Sequence, residues 1–203
     1  MKNLQIKQYE IDKILSNIDD NLSFKCFSKI DEGGYSDIYR YQDKIIKIGK
    51  TRASLKIADN SRILLPYFKG YVSDTYIEVT DYCEPKKVEL EDLYLIYEEL
   101  RDQNVMWLDP SNKNIGILTE DLAKKQQEKR KNINNLDILE NPSIKNYSLK
   151  AGDYVIIDLD HMVFDNDRPN IYRLKNILNE ESEQRLDYFE RRYAIYKSLK
   201  KKR

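Results

Sequence analysis

The chain changes character near its middle, and this limits the folds open to it. Up to Thr80 the apolar residues fall in short runs of strand type, such as LSFKCFSKI, IYRY, IIKI and TYIEVT. Turn residues separate them: Gly33-Gly34, Gln42-Asp43-Lys44 and Ser73-Asp74. From Val88 the repeat becomes helical, with Leu90, Leu93, Ile96, Tyr97 and Leu100 on one stripe and Glu and Asp on the other face. Strands first and helices after predict an α+β fold. A single domain is expected over residues 1–203, β-rich over about 1–82 and mainly helical over about 83–203, with a connector at 81–86.

Local patterns fill in the elements. An amphipathic helix is expected over 6–18, through Ile11, Ile14, Leu15 and Ile18. A strand over 22–30, a turn at 31–36 and strands over 38–41 and 45–50 make a three-strand meander. A short helix fits 52–58. Two further antiparallel strands fit 63–72 and 75–80, and Pro66 places the first at a sheet edge or delays its start. A helix follows over 88–103, and a last one over 173–200 through Leu174, Leu178, Leu186, Phe189, Tyr193 and Tyr196, ending in a frayed KKKR tail. Residues 119–152 form an insertion: a basic polar stretch, KKQQEKRK, then an Asn-rich one. It reads as a solvated helix and flexible loop, or as a docking surface for an acidic protein partner.

The composition excludes several classes. The 203 residues carry 35 Lys+Arg and 35 Asp+Glu, so no bulk charge draws the chain to nucleic acid or to an anionic membrane. A hydrophobic share of 40% with 16 tyrosines is too high for a disordered chain. No apolar run is long enough to span a bilayer, and the N-terminal stretch lacks a signal-peptide core. A cytoplasmic protein is expected, with delivery by a dedicated secretion system left open. Cys26 and Cys83 are in no metal-ligand spacing and read as two buried thiols of a reducing compartment.

Two segments carry the chemistry. In VMWLDPSNKNIGIL, Asp109 and Asn114 share a loop between apolar strand-like runs, and Pro110 stiffens its turn. In YVIIDLDHMVF, a continuous apolar strand ends on Asp158. One carboxylate can orient an attacking hydroxyl, while an asparagine oxygen and a second carboxylate can hold Mg²⁺ against phosphates. Upstream, DEGGYSDIY places Gly33 and Gly34 in a hairpin tip, where backbone N–H groups can approach phosphate oxygens, with Tyr35 able to shield them. Lys47 lies in a strand, where a buried ammonium needs a carboxylate or phosphate. Taken singly, each also reads as an ordinary turn, surface loop, exposed lysine or structural cap. His161, the only histidine, reads as structural.

In this order the motifs resemble the protein-kinase-like superfamily. DEGGYSDIYR is similar to the glycine-rich loop, IIKI to the strand bearing the phosphate-binding lysine, LDPSNKN to the catalytic loop and IIDLD to the metal-binding segment. The resemblance implies a two-lobed fold with a reduced C-lobe, and ATP and Mg²⁺ as cofactors. Gly33, Gly34, Tyr35, Ser36 and Lys47 would then bind nucleotide. Asp109 would be the catalytic base, Asn114 and Asp158 metal ligands and Asp160 a further candidate ligand. Adenine would sit near the connector at 81–84.

The departures point to a minimal, atypical member, similar to RIO-like, lipopolysaccharide-kinase-like or bacterial effector kinases. Asp31 and Ser36 stand where the loop has glycines, and Trp107 and Leu108 precede the catalytic aspartate. No glutamate lies between Lys47 and Ile77 to pair with the lysine; Asp59 is the acidic candidate there. The expected activity is phosphate transfer to a hydroxyl, as an atypical Ser/Thr protein kinase. The alternatives are a pseudokinase scaffold, a small-molecule or sugar kinase, and an α+β domain of other function. The short stretch after Asp158 argues against a long peptide groove.

Overall fold

The computed structural model describes residues 2–32, 36–49, 57–58, 62–102, 105–131, 138–139, 148–159, 162–164 and 180–201. Helix α1 spans Lys2–Ser16. A five-stranded antiparallel sheet follows, built from β1 (Ser28–Glu32), β2 (Ser36–Tyr41), β3 (Lys44–Gly49), β5 (Phe68–Val72) and β6 (Thr75–Asp81) in the order β1-β2-β3-β6-β5. The two-residue β4 (Ile57–Ala58) lies outside this sheet. The fold is mixed α/β, with four α-helices among the described residues.

The sheet sorts its side chains by alternation. One face of β3 and β6 presents Ile46, Ile77 and Val79, which pack with Ile11 and Leu15 of α1 and with Phe27. Helix α1 therefore covers this face. The opposite face carries Ile45, Lys47, Glu78 and Thr80, because Lys47 pairs with Glu78 and Ile45 with Thr80 in register. Two tight turns join neighbouring strands: Gln42 and Ser73 adopt positive φ, 50° and 53°.

The second part centres on α2 (Leu90–Asp102), whose Leu93, Tyr94, Ile96, Tyr97 and Leu100 are buried. Strands β7 (Val105–Trp107), β8 (Ile115–Ile117), β10 (Tyr154–Ile156) and β11 (Met162–Phe164) form two short antiparallel pairs, β7 with β11 and β8 with β10. Helix α4 (Glu180–Lys200) lays Phe189 and Tyr193 against Tyr94 and Tyr97 of α2. The Tyr97 hydroxyl donates to Glu190, and Lys197 meets Glu98 at 2.9 Å. No helix among the described residues is long and apolar enough to cross a membrane.

Several expectations are corrected. Residues 22–30 are not one strand: Phe24–Cys26 is a 3-10 turn whose start is fixed by Asp12, which accepts from the Phe24 amide at 2.6 Å. Pro66 does delay its strand, which begins at Phe68. Ile57–Ala58 is a strand, not a helix end, and pairs in parallel with β9 (Ile138–Leu139). Cys26 is exposed; Cys83 is buried. The insertion helix α3 (Glu120–Lys131) packs inward instead of lying in solvent. Thr119 caps it, accepting from the Leu122 amide at 3.2 Å. Its buried Gln126 donates to the Leu65 carbonyl at 3.2 Å and accepts from the Leu65 amide at 2.8 Å. Its basic side chains are used internally: Lys125 on Asp43, Lys129 on Asp81 and Arg130 on the Ile63 carbonyl.

Candidate functional site

The two short strand pairs bring their connecting loops together. Trp107, the end of β7, pairs with Met162, the start of β11, while Ile115, the start of β8, pairs with Ile156, the end of β10. The loop carrying Asp109 and Asn114 and the turn carrying Asp158 must therefore emerge on the same side. The Ile157 amide confirms it, donating to the Asn114 carbonyl at 2.9 Å.

Each loop is anchored by apolar neighbours. Trp107 and Leu108 are fully buried just before Asp109, and Leu159 is buried just after Asp158. A 3-10 turn, Asn112–Asn114, closes the first loop, with the Asn114 amide donating to Ser111 at 3.0 Å. Asn112 Oδ1 accepts from the Val88 amide at 3.0 Å, tying the loop to the segment entering α2.

Asp109 and Asn114 are both buried. Asn114 Nδ2 donates to the Asp109 carbonyl at 3.0 Å and to Asp109 Oδ2 at 3.2 Å. That use of the amide nitrogen makes Asn114 Oδ1 the atom that can face a cation. Two exposed cations approach the Asp109 carboxylate from outside, Lys113 Nζ at 3.9 Å and Arg185 Nη1 of α4 at 4.0 Å.

Lys47 reaches this cluster from β3. Its Nζ lies 3.0 Å from Asp158 Oδ1 and 3.5 Å from the Ile157 carbonyl. It also lies 3.6 Å from Glu78 Oε1 of β6. The side chains of Lys47 and Glu78 are 7% and 1% exposed, whereas Asp158 is 30% exposed. Lys47 thus has a carboxylate beside it on the neighbouring strand, one residue past Ile77. Register, not sequence distance, signals it. Asp59 lies outside the described residues, as do Gly33, Gly34, Tyr35, Asp160 and His161. Ser36 opens β2 opposite Gly49.

The connector beside the site is held by charge. Asp81 is buried and meets Lys44 and Lys129, each at 3.0 Å, and accepts from the Tyr67 hydroxyl at 2.7 Å. Burial raises the Asp81 pKa, but Lys129 and Lys44 outweigh it and leave it lowered. Burial pushes Lys129 down to about 8, against the pull of Asp81. Lys129 also sits 3.4 Å over the Tyr67 ring. Burial, then Asp81 and Glu84, pushes the Cys83 thiol up to about 12, so it stays protonated and inert.

The donor set fits Mg²⁺ in one particular way. Among the described residues no group of three His, Cys, Asp or Glu side chains could cage a metal ion. Mg²⁺ does not need such a cage: beside phosphates it binds through one or two protein oxygens and keeps several waters. Asn114 Oδ1 and the Asp158 carboxylate, on adjacent hydrogen-bonded segments, are that kind of pair.

No protein-family model matches the sequence, and no curated protein matches it. Among solved structures, the crystal structure of a kinase domain aligns with a TM-score of 0.37 at 13% identity, covering 72% of this chain and 54% of that one. The chain therefore spans about half the length of that kinase-domain chain.

Proposed function

We propose that the protein is an ATP- and Mg²⁺-dependent phosphotransferase of minimal, two-lobed kinase-like design. The observation that supports this reading is that Lys47, Asp158, Asn114 and Asp109, from three separate segments, lie on hydrogen-bonded and ion-paired neighbours. Lys47, with Gly33, Gly34, Tyr35 and Ser36, would contact the nucleotide phosphates. Asn114 Oδ1 and Asp158 would hold Mg²⁺. Bound there, the ion would neutralise charge on the phosphates during transfer.

Asp109 would orient the acceptor hydroxyl and accept its proton. Its burial and the Asn114 hydrogen bond hold the carboxylate in place. Lys113 and Arg185, beside the Asp109 carboxylate, would flank an acceptor that reaches it. The acceptor is an alcohol: a Ser or Thr side chain, or a small molecule or sugar. Residues 119–152 are offered as the site of a protein partner. The competing reading, a nucleotide-binding scaffold without turnover, draws on Trp107 and Leu108 in place of the family's polar residues.

The first test is thermal. Mg·ATP at a hundredfold excess over its Kd should stabilise the protein by about 2.7 kcal/mol. For a domain of this size that raises Tm by roughly 5–10 °C. Asp158→Ala should abolish the shift. No shift in the wild-type protein would remove the basis of both readings.

A further inference from the structure

Lys47 has two carboxylate partners of different kinds. Asp158 sits in a turn, is 30% exposed and is the residue a metal ion would claim. Glu78 is 1% exposed and belongs to the sheet. It is the register partner of Lys47 in the β3–β6 ladder. Side chains at directly opposed positions of an antiparallel pair stand on the same face, with Cβ atoms about 4.5–5.5 Å apart. The approach of Glu78 to Lys47 is therefore set by the strand pairing itself.

The other oxygen of Glu78 is also held. Oε2 accepts from the Tyr76 hydroxyl at 2.5 Å, and Tyr76 is itself buried, two residues away on the same face of β6. A carboxylate placed this deep needs partners to offset its desolvation. Tyr76 and Lys47 supply them. The order Tyr76, Glu78, Lys47, Asp158 forms a continuous polar line from the sheet interior to the site.

We propose that Glu78 is the positioning residue for Lys47, oriented by Tyr76, and keeps the ammonium aimed at the nucleotide phosphates once Asp158 turns to the metal ion. This rests on the phosphotransferase reading. It adds that the anchor of the lysine is built into the sheet, in place of a partner on the segment after β3. The lysine is then in position whenever β3 and β6 are paired, without a separate element having to swing in.

The test compares Mg·ATP with adenosine, which lacks phosphates, by calorimetry on the full chain. Glu78→Gln, which keeps the shape and removes the charge, should weaken Mg·ATP binding by roughly 10- to 100-fold, the usual effect of losing a group that orients a ligand-binding side chain. Adenosine affinity should stay unchanged. Glu78→Asp should recover part of the loss, and Tyr76→Phe should weaken Mg·ATP alone. Unaltered Mg·ATP binding in Glu78→Gln overturns the proposal, and so does an equal loss of both ligands, which would mean a purely structural role. If Glu78→Gln does not fold, Tyr76→Phe decides: unaltered Mg·ATP affinity there overturns it. No Mg·ATP binding by the wild-type protein overturns the functional reading and this proposal together.

Discussion

Lys47 is surrounded by more carboxylate than its own charge offsets, since Asp158 and Glu78 both lie within ion-pair distance. Two carboxylates beside one ammonium favour an arriving cation, which would in turn offset the charge of a phosphate. Just before Asp109, by contrast, the chain has given its side chains to the core. Trp107 and Leu108 are fully buried, and the Trp107 Nε1 donor has no hydrogen-bond partner among the described residues. Replacing Trp107 with a polar ring removes core volume and buries more polar atoms. Trp107→His should therefore destabilise the protein by about 3 kcal/mol, read from urea unfolding. At this scale the short motifs singled out Lys47, Asp109, Asn114 and Asp158 as candidates, and the structure sets them on neighbouring segments. The sequence was silent about Glu78. That contact depends on a strand register which no local pattern encodes.

Glycine and helix packing decide the elements. At Gly116 of β8 an added Cβ would lie 2.4 Å from Cys83 Sγ and 2.9 Å from Ile157 Cγ2. The connector and the strand leading to Asp158 approach each other across this residue. Gly116→Ala should cost about 1–3 kcal/mol in urea unfolding and, by moving Ile157, weaken Mg·ATP binding as well. Leu15 of α1 is fully buried against the sheet. Leu15→Ala should cost about 2–5 kcal/mol and leave the Mg·ATP Kd of the folded protein unchanged, because α1 covers the face away from Lys47. Helix α2 was legible because its burial is apolar and periodic, and the sheet strands because short apolar runs alternate with turn residues. Helix α3 was not. It buries Gln126, Lys129 and a narrow apolar edge through hydrogen bonds and ion pairs, so its pattern reads as solvated.

Across the whole molecule, the net charge of zero conceals a network joining the sheet, the connector and α3: Asp43 with Lys44 and Lys125, and Asp81 with Lys44 and Lys129. Burial raises the Asp43 pKa, but hydrogen bonds from Lys125 and Lys44 outweigh it and lower it from 3.8 to about 2. Asp81 is lowered as well. A carboxylate depressed in the folded state adds stability above its unfolded value, and that stability is lost as pH falls through the folded value. Urea midpoints should therefore drop between about pH 4 and pH 2, and drop less in Asp43→Asn. Solvent screening will moderate the effect, because Asp43 is half exposed. Lys129 gives a slope of the same sign in a higher window. Its pKa is lowered from 10.5 to about 8, so between those values the unfolded chain binds the extra proton and stability rises with pH.

In the proposed function, Asp109 would perform the chemistry at a site that would hold Mg·ATP. The direct measurement is ADP formation and phosphate transfer from γ-labelled ATP, with Mg·ATP affinity followed in parallel, for the wild-type protein and Asp109→Ala. Mg²⁺-dependent turnover is expected in the wild type. Asp109→Ala should lower it by about 10²- to 10⁴-fold while its Mg·ATP Kd stays within a few-fold. Turnover that survives unchanged in Asp109→Ala, or a wild-type protein that binds Mg·ATP and never turns it over, would contradict it.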